Sequence, residues 1–171
     1  MSVIRDERLP DAPAIRAVLE AAFSQVVEAD LVDRLRTACR DRISLVACDD
    51  DRIVGHILFT PAIIDGPQGT VVGYGLAPMA VLPEFQRRGI GSALVHAGIE
   101  RLRRSRCPFV IVVGHPAYYP RFGFVPASTS GIRCEWDGVP DDAFMVLVLE
   151  PSIAPQLAGL ARYRPEFGEA I

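Results

Sequence analysis

A strand, a basic turn with two glycines and an amphipathic helix follow one another within residues 74–104. The apolar residues between positions 76 and 82 predict a buried strand, and residues 86–91 form the turn. Apolar residues then recur at helical spacing, namely Ile90, Ala93, Leu94, Ala97 and Leu102. A second apolar strand at residues 109–113 completes a strand–helix–strand unit, which predicts a parallel, right-handed crossover. This order is typical of α/β folds.

The turn at residues 86–91 has the features of an anion-binding site. The first N–H groups of a helix lack partners within the helix, and the helix dipole makes this end partly positive. Gly89 and Gly91 have no Cβ, so an anion can approach the backbone closely. Arg87 and Arg88 add positive charge. These features predict a site for one or two phosphate groups, with an ordinary turn and solvated arginines as the alternative.

The turn resembles the Q/R-x-x-G-x-G/A signature of the GNAT superfamily of N-acetyltransferases. In that family the loop holds the pyrophosphate of acetyl-CoA, so the resemblance implies that acetyl-CoA is a co-substrate of this chain. The cofactor-binding residues implied for this loop are Gln86, Arg87, Arg88, Gly89, Ile90, Gly91 and Ser92.

Residues 89–94 also match part of the dinucleotide-binding fingerprint G-x-G-x-x-G. The third glycine is missing, and Gly114 and His115 stand at the end of the next strand, where that motif has an acidic residue. The connection from Leu82 to Arg88 is also longer than the tight turn of the fingerprint. These differences argue against a nicotinamide or flavin site.

Pro78 lies inside the predicted central strand at residues 71–82. Proline cannot donate to a sheet ladder, so it marks a bulge or a sheet edge. In the GNAT superfamily this strand splays from the next one, and the pantetheine arm of the cofactor pairs with the freed backbone. The resemblance therefore implies that Met79, Ala80 and Val81 contact pantetheine, while a plain sheet edge stays open as the alternative.

A second motif, GHPAYYPRFGF at residues 114–124, follows the strand at residues 109–113. It is similar to the pattern G-x-P-x-Y-Y-x-R-F-G-F of the YhbS-like branch of the superfamily. In the family pattern the second of the paired aromatic residues is the general acid, which implies this catalytic role for Tyr119 rather than Tyr118. The pKa of a thiol, about 8.5, and that of tyrosine, about 10, are close enough for proton transfer to the departing sulfur. A core tyrosine whose hydroxyl bonds to the backbone is the alternative.

The charge and the cysteines restrict the function classes. The formal net charge of −3 argues against general binding to nucleic acid. The four cysteines form no C-x-x-C pair and show no metal-ligand spacing, so we expect reduced thiols, no metal and a cytoplasmic location. The first residues lack the apolar region of a signal peptide, and no segment is long and apolar enough for a membrane span.

The remaining pattern fits a single domain over residues 1–171, with a core at about residues 3–150 and a short C-terminal extension at residues 151–171. Pro61 is expected to end the third strand. The resemblance implies an α/β GNAT fold with a mixed, mostly antiparallel central sheet and helices on both faces. Outside the central unit the pattern predicts helices ending near residue 23 and at residues 28–40, and strands at residues 3–5, 43–48, 53–60, 132–136 and 144–149.

The resemblance implies that the chain is an enzyme that transfers the acetyl group of acetyl-CoA to an amine by direct attack in a ternary complex. A non-catalytic CoA-binding or sensing module and an acyltransferase that uses a different acyl-CoA are the alternatives. A small amine, a peptide N-terminus and a protein lysine all stay open as acceptors, and the oligomeric state stays open as well.

In the superfamily the first two helices and their loop form one wall of the acceptor site. Here that region offers Phe23 and Glu28 as substrate contacts, and its acidic residues would suit a cationic amine; a plain surface loop is the alternative. The central strand has no Asp or Glu between Val71 and Leu82, so the carboxylate base of some relatives is lacking. Glu28, His56 and His115 are the candidates for the general base.

Overall fold

The computed structural model describes residues 2–170; Met1 and Ile171, the ends of the domain expected from the sequence, lie outside the described residues. The strands are β1 (Val3–Asp6), β2 (Ile43–Asp49), β3 (Arg52–Gly66), β4 (Gly69–Val81), β5 (Phe109–Val113), β6 (Val125–Pro126), β7 (Ile132–Cys134), β8 (Phe144–Val148) and β9 (Gly159–Arg162). The helices are α1 (Ala12–Phe23), α2 (Val27–Ala38), α3 (Ile90–Arg104) and α4 (Pro165–Gly168). Among residues 2–170, no helix combines the length and the apolar character needed to cross a bilayer.

The described residues divide into two compact units. The first consists of residues 2–59, 77–100 and 165–170, and the second consists of residues 60–76 and 101–164. The elements β3, β4 and α3 each contribute residues to both units, and β4 passes from the second unit into the first between Leu76 and Ala77.

The first unit combines antiparallel strands with the amphipathic helices α1 and α2. In it β1 pairs with β2, and β2 pairs with the first part of β3, both antiparallel. The helices α1 and α2 pack against each other and bury apolar faces that include Leu19 and Leu35. In α3, a Cβ added at Gly98 would lie 2.1 Å from the ring of Phe59, so this glycine permits close packing of the helix.

The second unit contains the parallel part of the sheet. Residues Tyr74, Gly75 and Leu76 of β4 pair in parallel with Val110, Ile111 and Val112 of β5. Strand β8 pairs antiparallel with β5 and with β6, and β7 is parallel to β9. The strand pairs are therefore mixed and mostly antiparallel, as predicted.

The end of β3 differs from the prediction, because Pro61 does not terminate the strand. The pairing of β3 with β2 ends at Phe59, and its pairing with β9 begins at Ile63. Pro61 lies between these two ladders, so neither ladder needs the N–H that proline lacks. The predicted strand end at Pro61 was wrong for this reason.

Candidate active site

The predicted phosphate loop lies at the start of α3 in the first unit. Arg87 and Gly89 adopt positive φ angles of 63° and 82°. The carbonyl of Gly89 accepts the N–H of Ala93 at 3.0 Å, so Gly89 is the residue that caps the helix. A Cβ at Gly89 would meet no atom within 4 Å, which leaves open space beside this backbone. Glycine suits the position because of its left-handed conformation and because an anion can approach it.

The side chains of the loop add the two cations Arg87 and Arg88 and a hydrogen bond from Gln86. The exposed guanidinium of Arg88 lies 5.0 Å from the ring centre of Phe85, and that of Arg52 lies 5.4 Å from the same ring. The Gln86 amide donates to the carbonyl of Val81 at 3.0 Å, which ties the loop to the end of β4. Arg87 is also exposed. Exposed cations and an open glycine backbone at a helix start fit the pyrophosphate of CoA.

Ile90 and Ser92 contribute differently from the arginines. The side chain of Ile90 is buried and packs toward Gly55, so only its backbone is available to a ligand. Ser92 lies half-buried in the first turn of α3. Gly91, also half-buried, lies between them.

The three residues expected to contact pantetheine end β4. Ala80 and Val81 are buried, and Met79 is half-buried. The carbonyl of Val81 already accepts the Gln86 amide, so within this set one carbonyl has an internal partner. The contribution of these residues to pantetheine binding stays a prediction.

Tyr119 lies in the second unit, at the start of a short 3-10 helix that follows β5. It is only 7% exposed, and its ring makes edge contacts with the rings of Tyr118 and Phe124 at centroid distances of 5.1 and 5.6 Å. A Cβ at Gly114 would lie 2.3 Å from this ring, so the glycine lets the tyrosine pack on the backbone. Burial raises the pKa of Tyr119, so its phenol keeps its proton at neutral pH.

The acidic residues of the predicted acceptor wall have partners within the protein. Glu28 accepts hydrogen bonds from the Gln25 amide at 2.8 and 3.1 Å, and it is half-buried. Asp30 forms an ion pair with Arg16 at 2.8 Å. Arg16 also pairs with Glu20 and Asp33, so one cation faces three carboxylates, and the acidic wall stays a prediction.

The same segment also exposes apolar side chains. Phe23 is 36% exposed, and the sequence reasoning missed its neighbours Val26 and Val27, which are 52% and 37% exposed. These three residues lie where α1 ends and α2 begins. They add an apolar surface next to the carboxylate of Glu28.

Of the three candidate bases, His56 is the least accessible to a substrate. It is fully buried, and its Nε2 atom lies 2.8 Å from the Ser44 hydroxyl. Burial lowers the pKa of His56 to about 4. His115 is exposed in the turn after β5, and Glu28 is half-buried, so these two stay candidates.

Tyr163 is a further residue that sequence reasoning did not single out. Its buried hydroxyl lies 3.2 Å from the carbonyl oxygen of Ile111 and 3.3 Å from that of Leu76, on the paired strands β5 and β4. The ring of Tyr163 packs on Gly75, where an added Cβ would lie 2.4 Å from the ring, and it stacks on Trp136. A glycine inside an apolar strand is a signal of close approach, and Gly75 carried that signal.

Among residues 2–170, no group of three or more His, Cys, Asp or Glu side chains is arranged to hold a metal ion. The candidate phosphate loop belongs to the first unit, and the candidate acid Tyr119 belongs to the second unit.

Comparisons with known proteins identify the family of the chain. A family model described as an acetyltransferase (GNAT) domain matches residues 4–127. YhbS of Escherichia coli strain K12, described as an uncharacterized N-acetyltransferase, is 35% identical over 166 residues, covering 96% of this chain and 98% of YhbS. YjhQ of the same strain, described in the same words, is 45% identical over 120 residues, covering 69% of this chain and 66% of YjhQ.

Two solved structures are similar over nearly the whole chain. The E. coli YhbS structure in complex with CoA has a TM-score of 0.90 and 34% identity, covering 98% of this chain and 92% of that one. A GNAT family acetyltransferase from Brucella melitensis in complex with acetyl-CoA has a TM-score of 0.80 and 34% identity, covering 98% of both chains. The chain therefore belongs to the GNAT family of acetyltransferases, has the GNAT fold and is similar to YhbS along almost all of its length.

Proposed function

We propose that the protein transfers the acetyl group of acetyl-CoA to an amine while both substrates are bound. The observation that carries this proposal is the start of α3, where the left-handed Gly89 leaves an open backbone beside two exposed arginines. The relatives solved with CoA and acetyl-CoA support the same ligand.

In this proposal the backbone N–H groups at the start of α3 hold the pyrophosphate, with Arg87 and Arg88 as its counter-charges. Gln86 keeps the loop attached to the end of β4, and the Ser92 hydroxyl adds a donor. Ile90 contributes through its backbone alone, since its side chain is buried. Met79, Ala80 and Val81 contact the pantetheine arm.

The amine nitrogen attacks the carbonyl carbon of the thioester, so a C–N bond forms and the C–S bond breaks. Tyr119 donates its phenolic proton to the departing sulfur. Burial raises the pKa of Tyr119, so the phenol is protonated before the step, but the same shift makes it a weaker proton donor to the sulfur than an exposed tyrosine. The proton that the amine loses passes to a base, for which Glu28 and His115 are the candidates. Positioning of the two substrates supplies most of the remaining rate enhancement.

The acceptor contacts Phe23 and Glu28 in this proposal. The exposed Phe23, Val26 and Val27 favour an amine that carries an apolar group, and Glu28 offers a carboxylate to the cation. A small amine, a peptide with an apolar N-terminal residue and a protein lysine all meet this description. A cytoplasmic location and a single domain remain part of the proposal.

The test is to incubate the protein with acetyl-CoA and a panel of amines, amino acids and peptides, and to follow the release of free CoA thiol. The acetylated product is identified by mass spectrometry. Propionyl-CoA and succinyl-CoA serve as parallel donors, and faster transfer from either would replace the acetyl assignment. Tight binding of acetyl-CoA in calorimetry without turnover of any acceptor would instead establish a non-catalytic CoA-binding module.

A further inference from the structure

The ladder between β4 and β5 ends at a defined pair. Its register runs from Tyr74↔Val110 to Leu76↔Val112. In a parallel ladder, a residue bonds to the two neighbours of the residue opposite it. A regular ladder at Leu76 would therefore join its N–H to the carbonyl of Ile111 and its carbonyl to the N–H of Val113.

One tyrosine hydroxyl meets these backbone groups. The hydroxyl of Tyr163 lies 3.3 Å from the carbonyl oxygen of Leu76 and 3.2 Å from that of Ile111. The N–H of Val113 donates to the same hydroxyl oxygen. A phenol has one proton to donate and lone pairs that accept, so Tyr163 can bridge Val113 to either carbonyl.

The ring of Tyr163 is fixed in this position from several directions. Gly75 leaves room for it on the strand, because a Cβ there would lie 2.4 Å from the ring. Trp136 stacks on it at a centroid distance of 5.2 Å with an interplanar angle of 22°. The backbone N–H of Tyr163 donates to the carboxylate of Glu135. The hydroxyl is therefore held at the end of the ladder by the packing of the ring and by the hydrogen bonds of the hydroxyl and of the backbone N–H of Tyr163.

Tyr163 also lies near the proposed general acid. The hydroxyl of Tyr163 lies 3.2 Å from the carbonyl oxygen of Ile111, and three residues later a Cβ at Gly114 would lie 2.3 Å from the ring of Tyr119. A residue that sets the backbone next to Tyr119 can influence the reaction without touching a substrate.

We propose that Tyr163 is a positioning residue for the acetyl-CoA site. Its hydroxyl occupies the place of the hydrogen bond between the Val113 N–H and the Leu76 carbonyl, and so ends the β4–β5 ladder there. The backbone groups of β4 after Leu76 are then left to the pantetheine arm. This inference rests on the proposed function. Removal of the hydroxyl leaves the Val113 N–H and the Leu76 carbonyl without this bridge, and a regular parallel ladder joins these two groups directly. The β4–β5 ladder is then longer by one hydrogen bond.

The test is the substitution Tyr163→Phe, which keeps the ring against Gly75 and removes only the hydroxyl. We expect the affinity for acetyl-CoA, measured by calorimetry, to fall at least fivefold. The affinity for adenosine 3′-phosphate 5′-diphosphate, which lacks pantetheine, should stay at the parental value, because the phosphate loop is unchanged. Parental affinity for both ligands would overturn the proposal.

A second measurement detects the hydrogen bond between Val113 and Leu76 directly and does not depend on ligand binding. An NMR scalar coupling across the hydrogen bond from the Val113 nitrogen to the Leu76 carbonyl carbon should be absent in the parent and present in Tyr163→Phe. Its presence in the parent would refute the bridging role, even if the variant failed to fold. If the parent does not bind the pantetheine-free ligand, the phosphate-loop proposal fails, and the coupling still decides the role of Tyr163.

Trp136→Phe is the matched control, since it loosens the stacking on Tyr163 but keeps the hydroxyl. It should lower the melting temperature and leave the affinity for acetyl-CoA unchanged. Equal losses of affinity in Trp136→Phe and Tyr163→Phe would show that packing, rather than the hydroxyl, is responsible.

Discussion

His56 should make the stability of the protein fall as the solution is acidified. The side chain is fully buried beside Ser44, and burial lowers its pKa to about 4. The nearby carboxylate of Glu7 opposes this shift, and the guanidinium of Arg36 adds to it. In the unfolded chain the pKa is about 6.5, so between these values the unfolded state binds a proton that the folded state does not.

The sign and size of the effect follow from these two pKa values. A folded pKa below the unfolded one means that the free energy of unfolding decreases as the pH falls from about 6.5 to about 4 and then levels off. Each pKa unit corresponds to about 1.4 kcal/mol, so the full loss is roughly 3 kcal/mol. Between pH 7 and pH 5 the expected loss is about 2 kcal/mol.

The assay is urea unfolding of the parent and of His56→Gln at both pH values. Glutamine keeps a hydrogen-bonding group where Nε2 faces Ser44 and does not titrate. The parent should lose about 2 kcal/mol more stability than the variant between the two conditions, because the carboxylates common to both proteins cancel. His115→Gln, at an exposed histidine, should behave like the parent. Identical pH dependence in His56→Gln and the parent would refute the argument.

Three further predictions concern the proposed site. Gly91→Asp should weaken acetyl-CoA binding at least tenfold in calorimetry, whereas the uncharged Gly91→Asn should bind more tightly than the aspartate; equal affinities would remove charge from the explanation. Tyr119→Phe should lower kcat at least tenfold, about 1.4 kcal/mol, with near-parental acetyl-CoA affinity, and a defect in Tyr118→Phe instead would reassign the acid. Glu28→Gln should raise the KM of the acceptor more than that of acetyl-CoA, with Gln25→Ala, which removes the partner of Glu28, as the comparison; unchanged kinetics in Glu28→Gln would exclude this carboxylate from the acceptor site.

The central unit of the fold could be predicted from the sequence because its signals are local. The apolar run of β5 has the predicted bounds, Phe109–Val113, and α3 begins at Ile90, within the predicted turn at residues 86–91. The turn carries its own conformational signal, since Gly89 has a positive φ angle. Apolar periodicity and turn glycines depend on neighbours in the chain, and for that reason they can be read without a structure.

Other features depend on contacts between residues that are distant in sequence. Pro61 has the local signature of a strand end, but β3 continues because its next partner, β9, begins at residue 159. The burial of His56 follows from packing that no local pattern shows. The role of Tyr163 requires the register of β4 and β5. The sequence therefore pointed to the loop and to Tyr119, while it missed the residue that contacts the ladder.

Tyr163, whose hydroxyl ends the β4–β5 ladder, is 87 positions beyond Leu76 and 52 beyond Ile111 in the sequence. A ribosome therefore completes the phosphate loop, both strands and Tyr119 well before it adds Tyr163. A nascent or prematurely terminated chain that stops before this residue carries every residue of the GNAT signature, yet it lacks the hydroxyl at the end of the ladder.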